Sequence, residues 1–199
     1  MEQGQTLRLA RCPHCNIASP SLQRAASVET KDDRGRNRRS WVNYQCATCG
    51  GVTMAVASYK PGNEGLREIS DIWPATQAVH ESIPDRAKAY LEQAIASIAA
   101  PSGAVMLTAS AVDAMLKAKG SKEGTLYKRI DKAANDHLIT DEMAAWAHEV
   151  RLDANDQRHD DEDGAMPDEA DAKKSIEFAM ALAQFLFVLP ASVARGRAQ

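Results

Sequence analysis

Two Cys-x-x-Cys pairs, Cys12-Pro-His-Cys15 and Cys46-Ala-Thr-Cys49, stand thirty residues apart and hold all four cysteines of a 199-residue chain. Each pair makes a tight turn whose two sulfurs face one point, and two such turns supply the four tetrahedral thiolates of a structural Zn²⁺ site. In a reducing compartment the doubled pattern points to metal rather than disulfides. A thioredoxin-like redox pair would need a Cys-x-x-Cys opening a helix in a βαβ setting, and no such pattern is present. Gly50 supplies the positive φ that such a knuckle often requires. His14 sits inside the first knuckle; with four thiolates completing the shell, it is expected to be exposed or to act as a donor behind the ligands. Thr6 to Ala10, Trp41 to Gln45 and Val52 to Tyr59 alternate well enough to read as short strands. The expectation for residues 1–60 is a zinc ribbon, with Cys12, Cys15, Cys46 and Cys49 as ligands.

Charge divides the chain in the same place. Residues 1–60 carry nine Lys and Arg against four Asp and Glu, a net of +5; residues 61–199 carry fifteen against twenty-three, a net of −8. A basic head on an acidic body suggests two modules with different tasks. Between the knuckles, Lys31, Arg34, Arg36, Arg38 and Arg39 crowd one polar loop with Asp32 and Asp33, and Trp41 and Tyr44 follow. Cations beside aromatics suit phosphates and stacked bases, so these five cations and Trp41 are candidate nucleic-acid contacts. The simpler reading is a solvated hairpin loop with Trp41 packed on the metal knuckle.

From Ile83 onward the apolar period becomes helical. Pro84 opens a first helix with a stripe through Ala87, Leu91, Ala94 and Ile98, and Pro101 begins a second that Gly120 ends. Leu126, Ile130 and Ala133 mark a third, and Thr140-Asp-Glu caps a fourth bearing Met143, Trp146, Ala147, Val150 and Ala154. Pro167-Asp-Glu opens a last helix that Pro190 is expected to stop. The fold expected is mainly α: a small N-terminal β zinc ribbon, a linker over 61–82, a bundle of about five helices over 83–190, and a frayed tail over 191–199. No apolar run reaches membrane-spanning length and the N-terminus has no signal core, so a soluble, cytoplasmic protein without a membrane partner is expected.

One polar constellation has geometry. At 100° per residue, Met143, Trp146, Ala147 and Ala154 fall within about 60° of Val150, while Arg151, Asn155 and His159 lie about 100°, 140° and 180° away. These three residues form a ridge off the core face, with His148 beside it. There is no Gly-rich phosphate loop, nucleophile elbow or zincin motif. Asp153-x-Asn155-x-Gln157 is followed by Arg158 where a calcium loop needs Gly.

Ile83-Pro-Asp85, Leu126-Tyr-Lys-Arg-Ile130, the run from Trp146 to His159 and Phe187-Val-Leu-Pro190 resemble the domain of unknown function numbered 4145, whose members often carry an N-terminal zinc ribbon. That family in turn resembles the HEPN helical class, found in restriction and phage-defence proteins. The resemblance implies a homodimer formed through the helical bundle. In active members of the wider class, metal-independent ribonucleases, an Arg and a His from each subunit line a shared cleft. Carried over, His159 would transfer the proton, Arg151 would clamp phosphate and Asn155 would orient one of them. The class usually places Arg and His closer together than the seven residues that separate Arg151 from His159. Asp160-Asp-Glu-Asp163 also sets negative charge beside the supposed RNA site. The expectation is therefore a binding or adaptor module that engages RNA, DNA or a partner protein in a restriction or phage-defence setting. The alternative is a homodimeric HEPN-type ribonuclease using Arg151, Asn155 and His159; a purely structural oligomer is the third reading.

Overall fold

The computed structural model describes residues 1–59, 68–75, 79–159 and 166–198, and of residues 155–159 the backbone alone. It divides into two compact units, Met1–Gln77 and Ala78–Gln199.

The first unit is an antiparallel sheet in the order β1-β2-β3-β4-β5, formed by Thr6–Leu7, Leu22–Thr30, Arg39–Cys46, Val52–Ser58 and Ile69–Trp73. The sheet curls, and its inner side collects Leu7, Leu22, Val42, Tyr44 and Ala55 around the buried Cys12 and Cys46. β3 alternates faithfully: Ser40, Val42, Tyr44 and Cys46 are buried, whereas Arg39, Trp41, Asn43 and Gln45 point the other way. Tyr44 is fully buried, and its hydroxyl donates to the Gly4 carbonyl at 3.0 Å and accepts from the Gly4 amide at 3.3 Å. Burial pushes its phenol above the usual tyrosine range.

The expectation of a mainly α chain is corrected here: 47% of residues are helical and 20% are in strands, a mixed α/β composition, and the head is a five-stranded sheet rather than a small ribbon. Two strands escape the hydrophobic pattern. β2 (LQRAASVET) buries only its first residue, so it has no alternation to detect. β5 falls within 61–82, the stretch read as linker, and pairs its Trp73 with Met54 of β4. Backbone pairing, rather than side-chain burial, recruits these segments.

The second unit holds five helices: α1 Asp85–Ala96, α2 Pro101–Ala118, α3 Leu126–Asn135, α4 Asp141–His159 and α5 Glu169–Arg197. Their starts follow ordinary capping chemistry. Thr125 accepts from the Lys128 amide, and Asp168 and Asp171 close a reciprocal capping box at the head of α5. The core runs through Leu91, Val105, Met115, Ile130, Val150, Ile176 and Leu182. Trp146 of α4 and Phe178 of α5 meet with ring centroids 4.9 Å apart.

Pro190 does not stop the last helix. A π-turn at Gln184–Val188 precedes it, and the helix resumes through Leu189–Arg197. An α-helical proline clashes with the carbonyl four residues back and donates no hydrogen bond; widening the preceding turn accommodates both defects. By length and composition the 29-residue α5 is apolar enough to cross a bilayer, yet its Ile176, Phe178, Leu182 and Leu186 lie in the core of this unit. Truncation at that core, Phe178→Ala, is expected to cost about 3–5 kcal/mol. Urea denaturation followed by circular dichroism at 222 nm reads this as a lower midpoint with an unchanged slope.

Candidate functional site

The first knuckle is a chain reversal after β1. The Cys12 amide donates to the Ile17 carbonyl at 3.0 Å and the Asn16 amide returns to the Cys12 carbonyl at 3.0 Å. The second reverses β3 into β4. The Cys46 amide donates to the Gly51 carbonyl and the Gly50 amide to the Cys46 carbonyl, both at 2.9 Å, with Gly50 at φ +73°. These turns bring the sulfurs of Cys12, Cys15, Cys46 and Cys49 within 4.8 Å of one another. Four sulfurs about 2.3 Å from a tetrahedral ion are separated by about 3.8 Å; Cys12 and Cys49 stand 3.9 Å apart. The donor set thus fits a four-thiolate metal centre, the geometry that zinc favours.

The backbone is already arranged for negative charge on sulfur. The His14 amide lies 3.4 Å from the Cys12 sulfur and the Gly51 amide 3.4 Å from that of Cys49. The Cys49 and Thr48 amides hold the Cys46 thiol down at about 6, against the opposing effect of burial. At Cys49 the Gly51 amide also lowers the pKa, but desolvation and the thiols of Cys15, Cys46 and Cys12 outweigh it and push it up to about 12. A bound cation would remove that mutual opposition and hold all four as thiolates.

His14 is exposed, as expected, but it is not idle. Its Nε2 pairs with the Val52 carbonyl at 2.9 Å, tying the first knuckle to the start of β4. A Cβ on Gly51 would lie 2.5 to 2.8 Å from His14 side-chain atoms, so this glycine gives the ring its seat.

The basic loop is the β2–β3 hairpin, organised by one carboxylate. Asp32 accepts from the amides of Arg34 and Arg36 and from the Asn37 side chain, and it pairs with the Arg36 guanidinium at 3.7 Å. Arg38 is also engaged: it binds Glu29 at 2.6 Å and lies 4.1 Å above the Tyr59 ring, whose hydroxyl bonds the same carboxylate. Lys31, Arg34 and Arg39 have no carboxylate within ion-pair distance among the described residues. Trp41 lies on the face of β3 opposite to Cys46 and is not packed on the knuckle. Its ring stacks with that of Trp73, with centroids 5.8 Å apart and planes at 30°, and its Nε1 donates to the Thr30 hydroxyl at 2.8 Å. A hollow of about 250 Å³ beside it is lined by Val28, Asn43 and Met54.

In the helical unit the polar ridge resolves only in part. Arg151 is half-buried, its guanidinium 5.3 Å above the Tyr127 ring, and its Nε is buried without a hydrogen-bond partner among the described residues. His148 sits against the other residues of that cluster: its ring is 4.7 Å from Tyr127 and its Nε2 is 3.0 Å from Asp131 of α3. Asn155 and His159 belong to α4, but their side chains lie outside the described residues. Arg151 opens onto a groove of about 790 Å³ that Arg86, Lys117 and Arg129 also line. Sequence spacing carries no sign of this grouping, because each of its cations comes from a different helix.

The family match decides what this second unit is. Residues 92–198 match the domain of unknown function DUF4145. The chain belongs to the DUF4145 family. No curated protein and no solved structure matches it. The matched DUF4145 segment includes Lys117, Arg129 and Arg151, whereas Arg86, the cysteine cluster and the Trp41 face precede it.

Two outcomes test the metal centre. Chelation should release bound metal and collapse the sheet, and Cys46→Ser should do the same, read as loss of dispersed methyl and amide signals from residues 1–77 while the helical signals persist. Gly51→Ala should lower the stability of the head by about 1–3 kcal/mol by displacing His14, measured as an earlier release of metal on heating.

Proposed function

We propose that the chain is a binding module in which Zn²⁺, held by Cys12, Cys15, Cys46 and Cys49, fixes a sheet that takes single-stranded nucleic acid on its outward face. The observation carrying this reading is the meeting of an exposed and a half-buried tryptophan, stacked on each other, with cations that have no carboxylate partner among the described residues. Trp41 stacks on Trp73, which is 40% exposed, and Val28 beside them is 59% exposed. Arg39 lies two residues before Trp41 on the same face, directly opposite Thr30, and Lys31 follows Thr30. Arg34 extends the charge to the hairpin tip.

Bases supply π-faces to the tryptophans and the backbone supplies phosphates to the cations, a combination that tolerates any sequence. A duplex hides its bases in the stack, so it would reach only the cations. The pairing of Arg36 and Arg38 with Asp32 and Glu29 assigns the electrostatic role to Lys31, Arg34 and Arg39 instead.

Fluorescence anisotropy with labelled single-stranded RNA and DNA tests this. Trp41→Ala should weaken binding by about 1–3 kcal/mol. The triple change of Lys31, Arg34 and Arg39 to Gln should flatten the salt dependence by about 0.7 in log–log slope for each phosphate no longer neutralised. Arg36→Gln with Arg38→Gln should cost far less. Binding that is unmeasurable at 50 mM salt, or that depends equally on all five cations, would contradict the reading.

A further inference from the structure

The groove in the helical unit shares no residue with the surface just described. Its walls come from α1, α2, α3 and α4, and among the described residues they carry Arg86, Lys117, Arg129 and Arg151 against one carboxylate, Asp113. This is a local surplus of positive charge within residues 61–199, whose net charge is −8.

Asp113 accounts for two of these cations. It takes Arg129 Nη1 at 2.6 Å and Lys117 Nζ at 2.5 Å, and Arg129 also donates to the Lys122 carbonyl from Nε and Nη2. This network holds the α2–α3 wall in place but leaves the other two cations without a counterion among the described residues. Arg86 is exposed, with its guanidinium 5.9 Å over the Tyr90 ring. Arg151 rests on Tyr127, and its Nε is buried with no acceptor among the described residues. A guanidinium nitrogen removed from water without an acceptor is costly, and an anion's oxygen is the partner it lacks.

The size and the lining narrow the ligand. A volume of about 790 Å³ lies in the range of small-molecule sites, which run from about 300 to 1,000 Å³. Two cations come from separate walls, with two more held beside Asp113, so the lining offers an anion more than one point of attachment. Ala109, Ala114 and Leu126 between them give an apolar floor that suits an uncharged body. We propose that this groove binds the diphosphate group of a small phosphorylated molecule, with Arg86 and Arg151 as its principal contacts and Lys117 and Arg129 completing the positive field.

Isothermal titration of the full chain with inorganic pyrophosphate, orthophosphate and ADP tests this. Pyrophosphate should saturate one site per chain, with orthophosphate at least tenfold weaker. Arg86→Gln and Arg151→Gln should each weaken pyrophosphate on the order of tenfold. Lys173→Gln, on the exposed start of α5, should leave it unchanged. ADP tighter than pyrophosphate assigns the diphosphate to an organic carrier that uses the apolar floor; equal affinity assigns the free anion, and both support the site. The proposal is overturned by three results: no saturable binding of either compound, an unchanged affinity in the folded Arg86→Gln, Arg151→Gln double variant, or a single-stranded RNA held through these two arginines that pyrophosphate does not displace.

Discussion

The head depends on four sulfurs meeting at one point. On its buried side Leu7, Leu22, Val42, Tyr44 and Ala55 pack around Cys12 and Cys46, so two of the four sulfurs belong to core residues. In a unit this small a metal cross-link would add to the stability that burial supplies. The sulfur cluster joins the segment after β1 to the β3–β4 turn, and a structural metal in zinc-finger peptides supplies about 10–16 kcal/mol of apparent folding energy. β2 and β5, which bury little, are ordered by pairing with strands that the cluster fixes. The outward face, with Trp41 and Trp73 side by side, exists only while that pairing holds.

Total charge proves a poor guide to where anions would bind. The basic hairpin looks like a run of five free cations, yet Asp32 and Glu29 neutralise two of them and use a third residue's amide to shape the turn. The acidic helical unit looks hostile to phosphate, yet among the described residues its groove collects four cations from four helices around a single carboxylate. In both units the relevant field is set by which charges fold together.

Legibility follows the strength of local chemistry. The cysteine knuckles, the helix starts at Thr140-Asp-Glu and Pro167-Asp-Glu, and the apolar stripe of α4 are local patterns with short-range causes, and all are present in the structure. β2 is invisible in the sequence because eight of its nine residues are exposed, and β5 because a five-residue strand amid turn-forming residues carries little signal. Pro190 misleads because the π-turn that accommodates it depends on packing, not on the residues beside it. Arg86, Lys117 and Arg129 escape notice as a group, since only tertiary structure unites them with Arg151.

The metal proposed at the four sulfurs is what would order the head, and X-ray absorption at the metal edge of the purified protein tests it most directly. The predicted result is one metal ion per chain with a first shell of four sulfurs at about 2.3 Å. A shell containing nitrogen or oxygen, or a chain that keeps its ordered sheet with no bound metal, would contradict it.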